Sequence, residues 1–223
     1  MKRPVTAATK VYGIFGNPVT HSLSPLLHNA AFAHFGIDAV YLGFEVLPEA
    51  LPMAFEGLRS LKIQGVNVTV PFKEDAMQFV DEIPEDLDRS IGAINTVVNR
   101  QGHLFGHNTD RLGFLKALEE TLGITPADKT VLLLGAGGAA RAVAFALAGA
   151  HAKTIVIQNR TTERAEGLRD YLDKSFPKLD FQTYAEYLDD PKRPPLDLVV
   201  NATVCGMKSA PSAPFDLETI EAG

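Results

Sequence analysis

Two hydrophobic periods alternate along the chain. Short runs that repeat every second residue read as strands: VYGIF (11–15), AVYLGFEV (39–46), and the segment with Val66, Val68 and Val70 on one face and Asn67 and Thr69 on the other. INTVVNR and HLFGHN flank Gln101-Gly102, which reads as a hairpin turn. VLLL (131–134), TIVIQN (154–159), LDFQTY and LDLVVNAT read as further strands. Between them the period lengthens to that of a helix. Leu27, Ala31 and Phe35 share a face over about residues 25–35, and a second helix covers about 49–61. Phe72, Ala76, Phe79, Val80 and Ile83 recur at helical spacing after Pro71. Leu112, Leu115, Leu118 and Leu122 follow Asp110, and Ala139, Val143, Ala146 and Ala150 follow a glycine cluster. A last helix covers about 162–174.

Strands alternating with helices imply an α/β fold with parallel sheets and helices on their faces. Gly123 ends the Asp110 helix and TPADK reads as a linker, so the pattern predicts two domains with a boundary near residues 110–128. Asp110 falls at that boundary. The second domain reads as four strands.

The chain has 223 residues, 46% hydrophobic and 22% charged, which is the balance of a globular enzyme. The formal net charge of -6, with no Lys/Arg run, argues against a nucleic-acid partner. One cysteine, Cys205, excludes an internal disulfide framework and fits a reducing, cytoplasmic compartment. MKRPVTAATK lacks the apolar core of a signal peptide, and no apolar run reaches the ~20 residues that span a bilayer, so no membrane role is expected. No His/Cys spacing suggests a metal.

Candidate chemistry falls into four places. Gly135-Ala136-Gly137-Gly138-Ala139-Ala140 fits G-x-G-x-x-G/A, follows an apolar strand and opens a helix, the context for a dinucleotide pyrophosphate. At the end of the next strand an NAD site carries an acid; here stand Asn159, Arg160 and Thr161, with Arg164 a turn later. A guanidinium binds a 2′-phosphate that a carboxylate would repel, so the pattern favours NADP, although Glu163 weakens it. Ser22 and Ser24 lie beside a predicted helix start and make a small anion site suited to a carboxylate. Ser24-Pro25 is also an ordinary N-cap and N1 pair, which explains Ser24 but not Ser22. Lys73 falls in the first turn of the helix predicted after Pro71, the wrong end for a cation, which points to a role in chemistry. Asp110 also suits a helix cap, and Asn95 is polar between apolar neighbours.

GNPVTHSLSP, GVNVTVPFK, GAINTV, GHNTD, GAGGAAR, NRTTERA and NATVCGM occur in this order over nearly the whole chain. Together they resemble the shikimate dehydrogenase family. The resemblance implies residues 1–109 as a substrate-binding and catalytic domain and 110–223 as a Rossmann-like NADP-binding domain. The implied reaction is NADP-linked interconversion of 3-dehydroshikimate and shikimate in aromatic amino-acid synthesis. It also implies a catalytic pair, Lys73 and Asp110. Ser22 and Ser24 would hold the substrate carboxylate, and Thr69 and Asn95 its ring hydroxyls. The Gly135–Ala139 loop would hold the pyrophosphate, and Asn159, Arg160, Thr161 and Arg164 the 2′-phosphate. Thr203 would lie near the nicotinamide. A lysine within reach of the substrate hydroxyl could take or give the proton that accompanies hydride transfer. Expected partners are small molecules only, with the protein a monomer or homodimer.

The chain departs from the resemblance after NATVCGM: residues 208–223 run KSAPSAPFDLETIEAG, without the tyrosine and glutamine segments the family places there. The expectation is a fragment with a truncated second domain. Two alternatives stay open. A quinate/shikimate dehydrogenase is disfavoured by Ser24, where threonine would suit quinate, and by Arg160, which disfavours NAD. A catalytically incompetent NADP- or shikimate-binding module would bind both without turnover.

Overall fold

Strand β1 (Lys10–Gly16) is the axis of the first half of the chain in this computed structural model, which describes residues 4–206. Residues 208–223, on which the truncation expectation bears, lie outside the described residues. By its internal contacts the chain divides into two units between Thr109 and Asp110.

In the first unit β1 is followed by α1 (Ser24–His34) and β2 (Ala39–Glu45), then α2 (Leu51–Ser60) and β3 (Gly65–Val68). Both β2 and β3 pair with β1 in parallel, on opposite sides. A short helix, α3 (Asp86–Ile91), precedes the antiparallel hairpin β4 (Thr96–Arg100) and β5 (His103–His107). The sheet order is β2-β1-β3-β4-β5, so this sheet is mixed. The hairpin turns at Gln101 and Gly102, whose φ angles of 56° and 92° put two successive residues in the left-handed region. One face of the sheet is the core. Phe15, Val66, Val68 and Val97 pack with Phe55 and Leu58 of α2, and the Phe15 and Phe55 rings meet edge-on at 5.9 Å.

Two helical expectations fail here. The apolar set after Pro71 does pack into that core, but the backbone forms only a turn and a 3-10 segment, Asp75–Phe79. The reason is tertiary: the Asp81 and Glu82 N–H groups donate to the Leu104 carbonyl, and Glu82 bridges Phe105, which draws the chain out beside β5. Lys73 therefore does not start an α-helix and is not a cation misplaced at a helix end. In α1, Leu27 and Phe35 are 68% and 72% exposed. The helix docks instead through Asn29, whose amide joins the Pro25 and Tyr41 carbonyls and the Tyr41 N–H, and through the rings of His28 and Phe32.

The second unit contains α4 (Asp110–Leu122), β6 (Thr130–Leu134), α5 (Gly138–Gly149), β7 (Thr154–Gln158), α6 (Thr162–Ser175), β8 (Asp180–Thr183), α7 (Tyr184–Asp189) and β9 (Leu198–Asn201). Among the described residues its four strands are all parallel, in the order β8-β7-β6-β9. β6 is wholly buried, and so is most of α5, whose alanines let it lie close to the sheet. The strand predicted through Tyr184 stops at Thr183. There the Thr183 hydroxyl accepts the Glu186 N–H while the Glu186 carboxylate accepts the Thr183 N–H, a capping box that starts α7. No helix among the described residues is long and apolar enough to cross a membrane.

Candidate active site

In each unit the chain reverses its strand order at one place, and the candidate residues follow the C-terminal ends of the strands there, where open α/β sheets bind ligands. In the first unit that place is β1 and β3. The loop after β1 carries Ser22 and Ser24, and the loop after β3 carries Thr69 and Lys73. The two loops are joined: Thr69 N–H donates to the Phe15 carbonyl at 2.9 Å and Asn17 N–H to the Val70 carbonyl at 3.0 Å. Gly16 makes the approach possible, since a Cβ there would lie 2.4 Å from Thr69 Cγ2 and 2.8 Å from Val19 Cγ1. The Asn17–Pro18 and Val70–Pro71 peptide bonds are cis.

The serines have different jobs from those the sequence suggested. Ser24 is the first residue of α1, not its cap, and no side chain caps at Leu23. Ser22 Oγ accepts the Ser24 N–H at 3.2 Å and so satisfies one of the orphan donors of the first turn. This bond uses a lone pair of Ser22 and leaves its O–H as a donor.

Lys73 is half-buried, and its carbonyl accepts the Ile94 N–H at 2.8 Å, which ties it to the segment leading to Asn95. Asn95 is 8% exposed and its carbonyl accepts the Val68 N–H. Its side-chain Oδ1 accepts the Thr109 N–H at 2.9 Å and the Thr96 hydroxyl at 2.9 Å, and its Nδ2 donates to Thr109 Oγ1 at 3.0 Å. Thr109 is thereby fixed directly before Asp110, the first residue of α4. The neighbouring Asn108 is held by the buried Asp88 carboxylate, which accepts its N–H at 3.0 Å, and by the Ala93 carbonyl.

In the first unit Thr69, Lys73 and Asn95 are thus tied through backbone bonds on neighbouring loops, with Ser22 on the loop after β1 and Ser24 at the start of α1. Sequence reading passed over Tyr41, Asn67, Thr96 and Thr109, which join them. Asn67 donates to Thr96 Oγ1 and to the Asn95 carbonyl, and the Tyr41 hydroxyl donates to Asn67 Oδ1 at 2.7 Å. A polar residue between Val66 and Val68 was the only sequence signal for Asn67, and Tyr41 had none. Burial pushes the Tyr41 phenol up to about 12, so it stays protonated at neutral pH.

In the second unit the reversal lies between β6 and β9. Gly135 leaves β6 at φ +114°, and a Cβ there would press on the Ala202 carbonyl and Thr203 Cγ2, each 3.2 Å away. The glycine turn and the loop after β9 thus touch. Gly137 precedes α5, and a Cβ on it would meet no atom within 4 Å, so the helix start is open above the turn. Ala136 is buried and Gly138 and Ala139 half-buried. Asn201 orders the second loop: its Oδ1 accepts from Thr203 N–H and Oγ1 and its Nδ2 donates to the Cys205 carbonyl. Beyond β7, Asn159 Nδ2 donates to the Thr161 carbonyl, and Arg160, Thr161 and Arg164 are exposed. The open helix start and the exposed cations past β7 fit a dinucleotide that carries an extra phosphate on its ribose.

Comparison with known proteins gives a consistent set. A family model described as the shikimate dehydrogenase substrate binding domain matches residues 14–97. A second, described as shikimate / quinate 5-dehydrogenase, matches residues 117–205. The chain is 44% identical over 220 residues to the shikimate dehydrogenase (NADP(+)) of Desulforamulus reducens, covering 96% of this chain and 75% of that protein. The crystal structure of shikimate dehydrogenase from Aquifex aeolicus superposes with a TM-score of 0.81 at 42% identity, over 96% of this chain and 76% of that one. A Thermus thermophilus shikimate 5-dehydrogenase in complex with NADP(H) and shikimate gives 0.78 at 36% identity, over 94% and 74% of the two chains.

Proposed function

The chain belongs to the shikimate dehydrogenase family, and from that premise we propose how its own residues carry the family's reaction. The protein is an NADP-dependent oxidoreductase that interconverts 3-dehydroshikimate and shikimate. Residues 1–109 are its substrate-binding and catalytic domain, and 110–223 its Rossmann-like NADP-binding domain. Bound there, oxidised NADP would supply the hydride acceptor for shikimate oxidation and its reduced form the hydride donor for the reverse reaction.

The chain's residues then have four tasks. Ser22 and Ser24 donate hydroxyl hydrogens to the substrate carboxylate, which accepts only. Thr69 and Asn95 hold the ring hydroxyls and fix the reacting carbon. Lys73 accepts the hydroxyl proton as hydride leaves and gives it back to the carbonyl oxygen in reverse, with Asp110 as the second member of the pair. The Gly135–Ala139 turn receives the pyrophosphate at the start of α5, Thr203 lies on the nicotinamide side, and Asn159, Arg160, Thr161 and Arg164 take the 2′-phosphate. The enzyme works in the cytoplasm, a reading that the single cysteine supports.

The observation that supports the assignment is that the loop after β3, with Thr69 and Lys73, is tied to the end of β1 and to the segment leading to Asn95 by the Thr69–Phe15 and Ile94–Lys73 backbone bonds. The test is a rate assay of shikimate and quinate, each with NADP and NAD. The reading expects shikimate with NADP to be the fastest pair. A folded protein that binds NADP and turns over neither acid would contradict it, as would a preference for NAD.

A further inference from the structure

Asp88 is a buried carboxylate that no step above uses. It lies in the first turn of α3 and is 4% exposed. An acid suits a helix start, yet the exposed Asp86 already stands in that turn. Burying a second carboxylate is costly unless it is hydrogen-bonded. Its Oδ2 accepts the Asn108 N–H at 3.0 Å, and His107 Nδ1 lies 3.9 Å from the same oxygen. The next backbone donor, the Thr109 N–H, goes to Asn95 Oδ1 at 2.9 Å. Asp88 and Asn95 thus hold the turn after β5 by adjacent amides. The Asn108 side chain pins the same turn to the Ala93 carbonyl at 2.8 Å, and the His107 carbonyl accepts the Asn95 N–H at 3.0 Å.

We propose that Asp88 is a positioning residue that sets the side-chain amide of Asn95, acting through Asn108 and Thr109. The proposal rests on the assignment of Asn95 to a ring hydroxyl of the substrate. The two ends of an asparagine amide differ in whether they donate or accept, so its neighbours decide which way it faces. A backbone N–H can only donate. The Thr109 N–H therefore fixes Oδ1 as the accepting end of Asn95 and Nδ2 as its donating end. The substrate hydroxyl then meets a donor of fixed direction. Without Asp88 the Asn108 N–H is buried and unanswered, a costly state that the turn relieves by rotating. That rotation draws the Thr109 N–H off Asn95, and the amide loses its orientation. What Asp88 contributes is an acceptor at a fixed point. Its charge strengthens the bond to the Asn108 N–H and takes no part in the reaction.

The test compares Asp88→Ala with Asp88→Asn, and places Asp88→Ala in the Asn95→Ala background. The readouts are kcat/KM for shikimate and NADP affinity, taken well below the melting temperature of each variant. Asp88→Ala is expected to lower kcat/KM about 10- to 100-fold, the cost of a slightly misplaced contact, with NADP affinity within about twofold. Asp88→Asn keeps an oxygen at the same place and is expected to restore kcat/KM to within about threefold. In the Asn95→Ala background Asp88→Ala is expected to add no more than about twofold, because its target is gone. Asp88→Leu has the same branched shape without an acceptor and takes the place of Asp88→Ala should that variant not fold. A lowered melting temperature with unchanged kcat/KM would make Asp88 purely structural and overturn the proposal. So would effects of Asp88→Ala and Asn95→Ala that multiply. If Asp88→Asn is as damaging as Asp88→Ala, the charge facing His107 matters and not the acceptor, and the proposal is wrong while the assignment of Asn95 stands. If Asn95→Ala alone leaves kcat/KM unchanged, that assignment itself fails, and the role of Asp88 falls with it.

Discussion

The two serines beside α1 make the sharpest test of the local geometry, because sequence and structure assign them opposite duties. A Ser-Pro pair at a helix start suggests that Ser24 caps and that its loss destabilises. In the structure Ser22 Oγ accepts the Ser24 N–H at 3.2 Å, and Ser24 is already helical. Ser22→Ala therefore strands one backbone donor at a half-buried position. Caps of this kind contribute about 0.5–2 kcal/mol, and the length of this bond puts it near the lower end, ~0.5–1 kcal/mol. For a chain of this size that is roughly 1–4 °C in melting temperature. Ser24→Ala removes no cap and is expected to leave the melting temperature within about 1 °C, the shift that ~0.3 kcal/mol produces in a chain of this size. Its cost appears in binding: a hydrogen bond to a charged group contributes ~1.5–3 kcal/mol, so KM for shikimate is expected to rise about 10- to 150-fold. Differential scanning calorimetry and steady-state kinetics on the two variants read the two quantities separately. If Ser24→Ala lowered the melting temperature and Ser22→Ala did not, the assignment of the cap would be refuted.

Other expectations follow from single contacts. Arg160→Asp should weaken NADP about 10- to 100-fold while NAD binding holds or improves, since only NADP carries the phosphate that Arg160 is proposed to bind; equal losses for both cofactors, measured by titration, would make Arg160 structural. The Arg59 guanidinium and the Leu104 N–H hold the Asp81 carboxyl below the ordinary carboxylate range. A depressed carboxyl adds stability that is complete above its unfolded value, about pH 4, and is lost as pH falls through its folded value. Asp81→Asn should thus cost about 1 kcal/mol near neutral pH, after allowing for the exposure of the pair, and its deficit should shrink in acid; a deficit independent of pH would contradict this. Gly16→Ala should cost about 1–3 kcal/mol and raise KM, because its methyl would displace Thr69; an unchanged melting curve and KM would mean the loops are not packed as described.

What could be read from the sequence and what could not divides by distance along the chain. The strands of the second unit were plain because β6 and β7 are buried on both faces and carry continuous apolar runs. The glycine turn was plain because strand, turn and helix are contiguous. The segment after Pro71 was misread because Phe72, Ala76, Phe79 and Ile83 satisfy helical spacing, whereas the backbone is set by pairing with β5, some twenty residues later. α7 was overlooked although Thr183 and Glu186 form the spacing of a capping box, since six residues are too few to show a period. Tyr41 and Asn67 are 26 positions apart, and nothing local announces that the phenol of one would donate to the side chain of the other. The candidate residues were found singly, by type and motif. The polar network that holds them is a property of the fold.

The central claim is that Lys73 moves the proton at the substrate hydroxyl, and Lys73→Met tests it most directly. The variant removes the ammonium and leaves the residue 73 carbonyl to accept the Ile94 N–H, so the loop and its backbone bond are kept. Shikimate and NADP affinities, measured by calorimetry on the same preparation, are expected to stay within a few-fold of the unaltered protein. Its kcat for shikimate oxidation is expected to fall by ~10²–10⁴, the range that general acid–base catalysis spans. A Lys73→Met protein that binds both molecules and retains near-normal kcat would contradict the account.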